Sequence, residues 1–164
     1  MVWKRQVLVV ANVTATSVEL VDALRDQAGR HSVAFTLVVP ATPLPGGRDA
    51  AIEQLNEAVA HLRQFGLEVD GSVGDVDPMV AILDAWNPRL YDEIIVSTLP
   101  TGASKWLHAD LPRRVEKHTG ALVTHVVARP PKLQPKLAQI RDSEKLGVMK
   151  PLSVLTWSGA PRDR

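Results

Sequence analysis

Five short apolar runs, each parted from the next by a stretch of helical periodicity, constrain this 164-residue chain more than any other feature of it. The first, Gln6 to Ala11 (QVLVVA), is continuous and rich in β-branched residues. That is the pattern of a strand covered by helices on both faces, not of one wetted at alternate residues. Val33 to Val39, Leu67 to Val73, Glu93 to Ser97 (EIIVS) and Leu122 to Val127 (LVTHVV) complete the set. Between them, Ser17 predicts an N-cap, with Val18, Val21, Leu24 and Ala28 on the buried face and Gly29 as the stop. Pro40 to Gly47 is a loop, and Ile52, Leu55, Val59 and Leu62 mark the next helix face before Gly66. Asp77-Pro78 supplies an N-cap followed by a proline at the first helical position, ahead of Met79, Ile82, Leu83 and Trp86, and Asn87-Pro88 ends that helix. A hydroxyl-rich loop, Thr98 to Ser104, precedes helical sequence ending near His118 to Gly120.

Strands that alternate with helices across short loops imply right-handed crossovers and a parallel sheet. The expected fold is therefore a doubly wound α/β domain with a five-stranded parallel sheet in the order 3-2-1-4-5, over residues 1–128. Such sheets bind ligands beyond the carboxyl ends of their strands where the order reverses, here the loops after strands one and four. Residues 129–164 read as a Pro-containing basic extension, with one or two helical turns in Gln134 to Leu146 and an apolar patch in Val148 to Trp157. The net charge of +1 divides the same way: 11 basic and 15 acidic side chains up to Ala128, 8 basic and 3 acidic after it.

The absence of cysteine removes disulfides, thiolate nucleophiles and Cys-type zinc sites, and the five histidines show no metal-ligand spacing, so no metal is expected. No apolar run approaches the roughly 20 residues that span a bilayer, and a cytoplasmic location without membrane contact is expected. The first loop has no glycine for a dinucleotide fingerprint, and no Walker sequence occurs. Ala11-Asn12 lacks the clustered carboxylates of a receiver domain. Thr14, Thr16 and Ser17 would suit a flavodoxin-like FMN site, but hydroxyls in front of a helix are more often caps. Ser104, His108 and Asp110 form no catalytic constellation, so no catalytic residue is assigned and an enzyme is not expected. His125 reads as a packed or hydrogen-bonded core histidine, and the four tryptophans as core or docking anchors. The tail's basic residues are scattered among prolines, which disfavours specific nucleic-acid binding.

Gly74-Asp75-Val76-Asp77-Pro78 leading into Ile82-Leu83, followed by Asp92-Glu93-Ile94-Ile95-Val96, resembles the universal stress protein pattern, and the likeness covers about residues 4–128. Asn12 stands where that family usually has an aspartate, and Arg114 to His118 resembles the stretch entering the last strand. Many members bind ATP through a loop written Gly, two residues, Gly, nine residues, Gly-Ser/Thr. Here the loop reads Thr98-Leu99-Pro100-Thr101-Gly102-Ala103-Ser104-Lys105, and the Gly-Ser position falls on Ala109-Asp110.

The resemblance implies a stress-response, nucleotide-sensing module, with the base and ribose near Asn12 and the backbone at Val39. The rest of the cleft falls to Thr98, Thr101, Gly102, Ser104 and Lys105. Asp110, as N-cap of a helix with Pro112 in its first turn, is expected to accept the orphan N–H groups itself and set a negative charge where phosphate would sit. AMP, ADP or ATP is thus expected at reduced affinity, with a small anion as another ligand for the Lys105 end. The alternative is a homodimeric interaction protein that pairs through its last strand and uses the basic tail.

Overall fold

The computed structural model describes residues 3–100 and 102–129; the side chains of Leu107 and His108 lie outside that description, as do Thr101 and the segments read in the C-terminal extension. The described chain runs β1 (Arg5–Val10), α1 (Val18–Arg30), β2 (Val33–Pro40), α2 (Gly47–Gln64), β3 (Val69–Gly74), α3 (Pro78–Ala85), β4 (Glu93–Thr98), α4 (Lys105–His108), α5 (Leu111–Thr119) and β5 (Leu122–Val127). All neighbouring strands are parallel, in the order β3-β2-β1-β4-β5. The expected fold class and strand order are those observed.

Alternation along the strands splits the core in two. Val7, Val9 and Ala11 pack with α1 and α2, whereas Leu8 and Val10 pack with α3 and α5. Because β4 is buried at every residue, its apolar pattern alone cannot fix its register; Glu93 does. This carboxylate, 2% exposed, receives hydrogen bonds from Arg5 (3.1 Å), from Gln27 (3.1 and 3.2 Å) and from Thr124. Sliding the strand by one residue would strip a buried charge of all three partners.

Helix starts follow their caps. Ser17 Oγ accepts from Leu20 N at 3.3 Å, and Asp77 Oδ1 accepts from Met79 N at 2.8 Å with Pro78 just inside the helix. Helix faces differ from the expected ones: Val18, Ile52 and Leu83 are exposed, while Leu20, Ala51, Ala58 and Ala81 are buried. At Ala51, Ala58 and Ala81 small residues win because the helices lie close on the sheet. A Cβ at Gly74 would come within 2.5 Å of Ala81 Cβ, so α3 approaches the end of β3 where neither side has bulk. Helix α1 also continues through Gly29 to Arg30, its last turn closed by His31 N donating to Gln27 O at 3.0 Å.

Candidate nucleotide cleft

The carboxyl ends of β1 and β4 lie side by side at the reversal of strand order, and the loops leaving them diverge. After β1 the chain makes two tight turns, Ala15 N donating to Asn12 O and Ser17 N to Thr14 O, both at 3.0 Å. Thr14 Oγ1 then donates to Ser97 O at 3.1 Å and ties this loop to the end of β4. After β4, Ala103 N and Ser104 N both donate to Pro100 O, with Gly102 at a left-handed φ of 97°, and the chain turns back as α4.

Two clefts open there, and both are lined by Asn12, Lys105 and Trp106. The narrow one, about 220 Å³, is lined by Asn12, Val13, Thr14, Ser97, Thr98, Leu99, Ala103, Ser104, Lys105 and Trp106. The wide one, about 530 Å³, lies among the loops after β2 and β3 and the start of α5, where Pro40 to Pro43, Val76 to Met79, Ala109, Leu111 and Arg114 meet Asn12, Lys105 and Trp106. The wide cleft falls inside the range of roughly 300–1,000 Å³ usual for small-molecule sites and the narrow one below it.

The structure thus brings Asn12, Thr98, Ser104 and Lys105 together at the narrow cleft, and Asn12, Lys105 and Ala109 at the wide one. Val39 is not at either. It is fully buried on the α1–α2 side of the sheet, and the next residues, Pro40 and Ala41, form the wall because β2 ends there. Gly102 is exposed and lines neither cleft, and Thr101 lies outside the described residues.

Asp110 departs from expectation. It holds the N-cap position of α5 but in a left-handed conformation (φ 49°, ψ 44°), and its side chain makes no capping hydrogen bond. An N-cap carboxylate reaches the N–H groups of the first turn from an extended backbone; the tight reversal from α4 into α5 denies Asp110 that geometry. Its charge stays beside the N-terminus of α5 without capping it, and one first-turn N–H is absent at Pro112.

His125 is hydrogen-bonded, as expected, but is not a core residue. It sits exposed on edge strand β5 with Nε2 2.7 Å from Thr98 Oγ1, and partial burial of the ring lowers its pKa. Trp86 and Trp106 pack against the core, whereas Trp3 is 83% exposed. Ser97 Oγ, fully buried, has no hydrogen-bond partner among the described residues; leaving such a group unpaired costs about 1–3 kcal/mol. Arg114 is the cleft residue the sequence reading missed as a site residue. Its spacing of nine from Lys105 crosses the break between α4 and α5, so no single helical period relates the two. Neither forms an ion pair with a described residue.

No family model matches the chain, and no curated protein matches it. Solved structures do. The universal stress protein from Archaeoglobus fulgidus in complex with dAMP is similar at 19% identity and a TM-score of 0.53, over 77% of this chain and 99% of that one. A second structure of universal stress protein from Archaeoglobus fulgidus aligns at 18% identity and a TM-score of 0.54, over 77% and 95% of the two chains. A universal stress protein in complex with cAMP aligns at 19% identity and 0.51, over 78% and 99%. This chain has the universal stress protein fold. Among the described residues, no helix is long and apolar enough to cross a membrane, and no three acidic or histidine side chains are grouped to hold a metal ion.

Proposed function

We propose that this protein is a universal-stress-type sensing module that holds an adenine nucleotide in the wide cleft and favours a monophosphate over a triphosphate. The carrying observation is the cleft itself, which lies at the reversal of strand order and is lined by Asn12, by the apolar Pro40, Pro43 and Met79, and by two cations, Lys105 and Arg114. The apolar walls suit a base. The cations suit a single phosphate, which carries roughly two negative charges. Asp77, the carboxylate in the lining, is engaged as the cap of α3.

A longer phosphate chain meets poorer conditions. Toward α5 it would find the Asp110 carboxylate and a first turn with one N–H missing at Pro112. The fold neighbours that carry dAMP and cAMP support this choice of ligand class. Two of the three hydroxyls that the flavin reading would use are engaged within the fold, Thr14 donating to Ser97 O and Ser17 capping α1. Mass spectrometry of the protein as purified tests the proposal: AMP or another adenine monophosphate should be carried through, and ATP as the dominant passenger would contradict it.

A specific observation also favours assembly through the last strand. The β5 edge exposes Leu122 (59%) and Val127 (44%), whereas the opposite edge, β3, presents Asp70, Gly71 and Ser72, with Asp70 held by Arg63 at 2.8 Å. An apolar open edge is a pairing surface. Sedimentation of the wild type should therefore give a dimer and Leu122→Lys a monomer; an unchanged mass for the variant would sink the reading.

A further inference from the structure

We propose that the pocket at the amino ends of β1, β2 and β4 binds a free amino acid with an aromatic side chain. Its lining is Trp3, Arg5, Arg30, His31, Ser32 and Asp92. It therefore lies at the opposite end of the sheet from the two clefts and shares no lining residue with either. The volume, about 660 Å³, falls inside the range usual for small-molecule sites.

Two opposite charges are fixed there without being paired to each other. Arg5 is held by the buried Glu93, to which its Nη2 donates at 3.1 Å, and the rest of its guanidinium fork has no acceptor among the described residues. Asp92 is held by the backbone of β1: Oδ2 accepts from Gln6 N at 2.9 Å, and Asp92 N donates to Gln6 O at 2.9 Å. Its Oδ1 has no donor among the described residues, and no ion pair joins it to Arg5 or Arg30, although all three line one pocket. A guanidinium with open donors matches a carboxylate, and a carboxylate with an open oxygen matches an ammonium. A small ligand that carries both groups on one carbon is an α-amino acid. Arg30 adds a second guanidinium, tied to Asp26 by an exposed i,i+4 pair of the kind a ligand carboxylate displaces at little cost. The side chain is specified by Trp3, whose indole is 83% exposed at the same pocket and offers a face for ring stacking. An anion alone, such as phosphate, would meet the Asp92 carboxylate and the carbonyl end of α1 as well as the arginines.

The test is calorimetric titration of the full chain with phenylalanine, alanine, 3-phenylpropionate, 2-phenylethylamine and inorganic phosphate. Phenylalanine should bind about tenfold more tightly than alanine, which lacks the ring, than 3-phenylpropionate, which lacks the ammonium, and than 2-phenylethylamine, which lacks the carboxylate. Trp3→Ala should bring phenylalanine down to the level of alanine. Asp92→Asn, which keeps an amide oxygen for Gln6 N, should bring it down to the level of 3-phenylpropionate. Both variants should keep the far-UV circular dichroism of the wild type. No response to phenylalanine, binding of 3-phenylpropionate or phosphate as tight as phenylalanine, or preferences that survive the two substitutions would each overturn the proposal. The site does not rest on the nucleotide reading. Phenylalanine binding without an AMP response would remove that reading and leave this one, and the reverse result would do the opposite.

Discussion

At its first residue β4 carries Glu93, and at its fifth and sixth it carries Ser97 and Thr98; all three are buried, yet they are satisfied in different ways. Glu93 collects donors from three other elements, Arg5 on β1, Gln27 on α1 and Thr124 on β5, and so locks four elements together at the amino end of the sheet. Ser97, at the carboxyl end, has its carbonyl bonded to Thr14 and its hydroxyl unpartnered among the described residues. One end of the strand satisfies its buried polar side chain inside the fold, while the other leaves a buried hydroxyl without a partner among the described residues.

Substitutions sharpen this contrast. The largest effect is expected for Glu93→Ala, which leaves the Arg5 guanidinium and two side-chain donors facing an empty place. Urea unfolding should show a loss of about 3 kcal/mol, and a loss under about 1 kcal/mol would contradict the locking role. Next is Thr14→Val, which deletes a buried hydrogen bond to Ser97 O and should cost about 1–2 kcal/mol. Ser97→Ala should not destabilise and should raise stability by about 1 kcal/mol, because the buried hydroxyl it removes has no partner among the described residues. Equal costs for these two variants would erase the distinction between the bonded and the open hydroxyl.

The smallest effect is a pH dependence. Burial lowers the pKa of His125 below its ordinary 6.5, so the unfolded chain takes up the proton more readily than the folded one. The stability tied to the neutral ring is then complete above the unfolded value and is lost as the pH falls through the folded one. His125→Gln keeps a hydrogen-bonding side chain beside Thr98 without titrating, and should flatten the slope of the urea midpoint between about pH 5 and 7. An identical slope in the variant would remove His125 as its source.

The sheet was legible because its strands are continuous apolar runs, and the start of α3 because Asp77-Pro78 combines a cap with a proline that costs no hydrogen bond. Less legible were the helix faces. Periodicity favours the large Val18, Ile52 and Leu83, but contact with the sheet selects Ala51, Ala58 and Ala81, whose small side chains permit the approach. At the site, residues adjacent to strand ends could be placed from sequence, as Asn12, Thr98 and Lys105 show. Val39 missed the cleft by one residue, since alternation turns it into the core. Asp110 depended on a backbone angle that no side-chain pattern encodes, and Arg114 on the turn between two short helices.

The nucleotide reading is tested most directly by calorimetric titration of the wild-type chain with adenosine, AMP and ATP at one salt concentration. AMP should bind more tightly than adenosine through Lys105 and Arg114, and more tightly than ATP, whose outer phosphates would approach Asp110. Micromolar ATP affinity equal to or better than that for AMP would contradict the account.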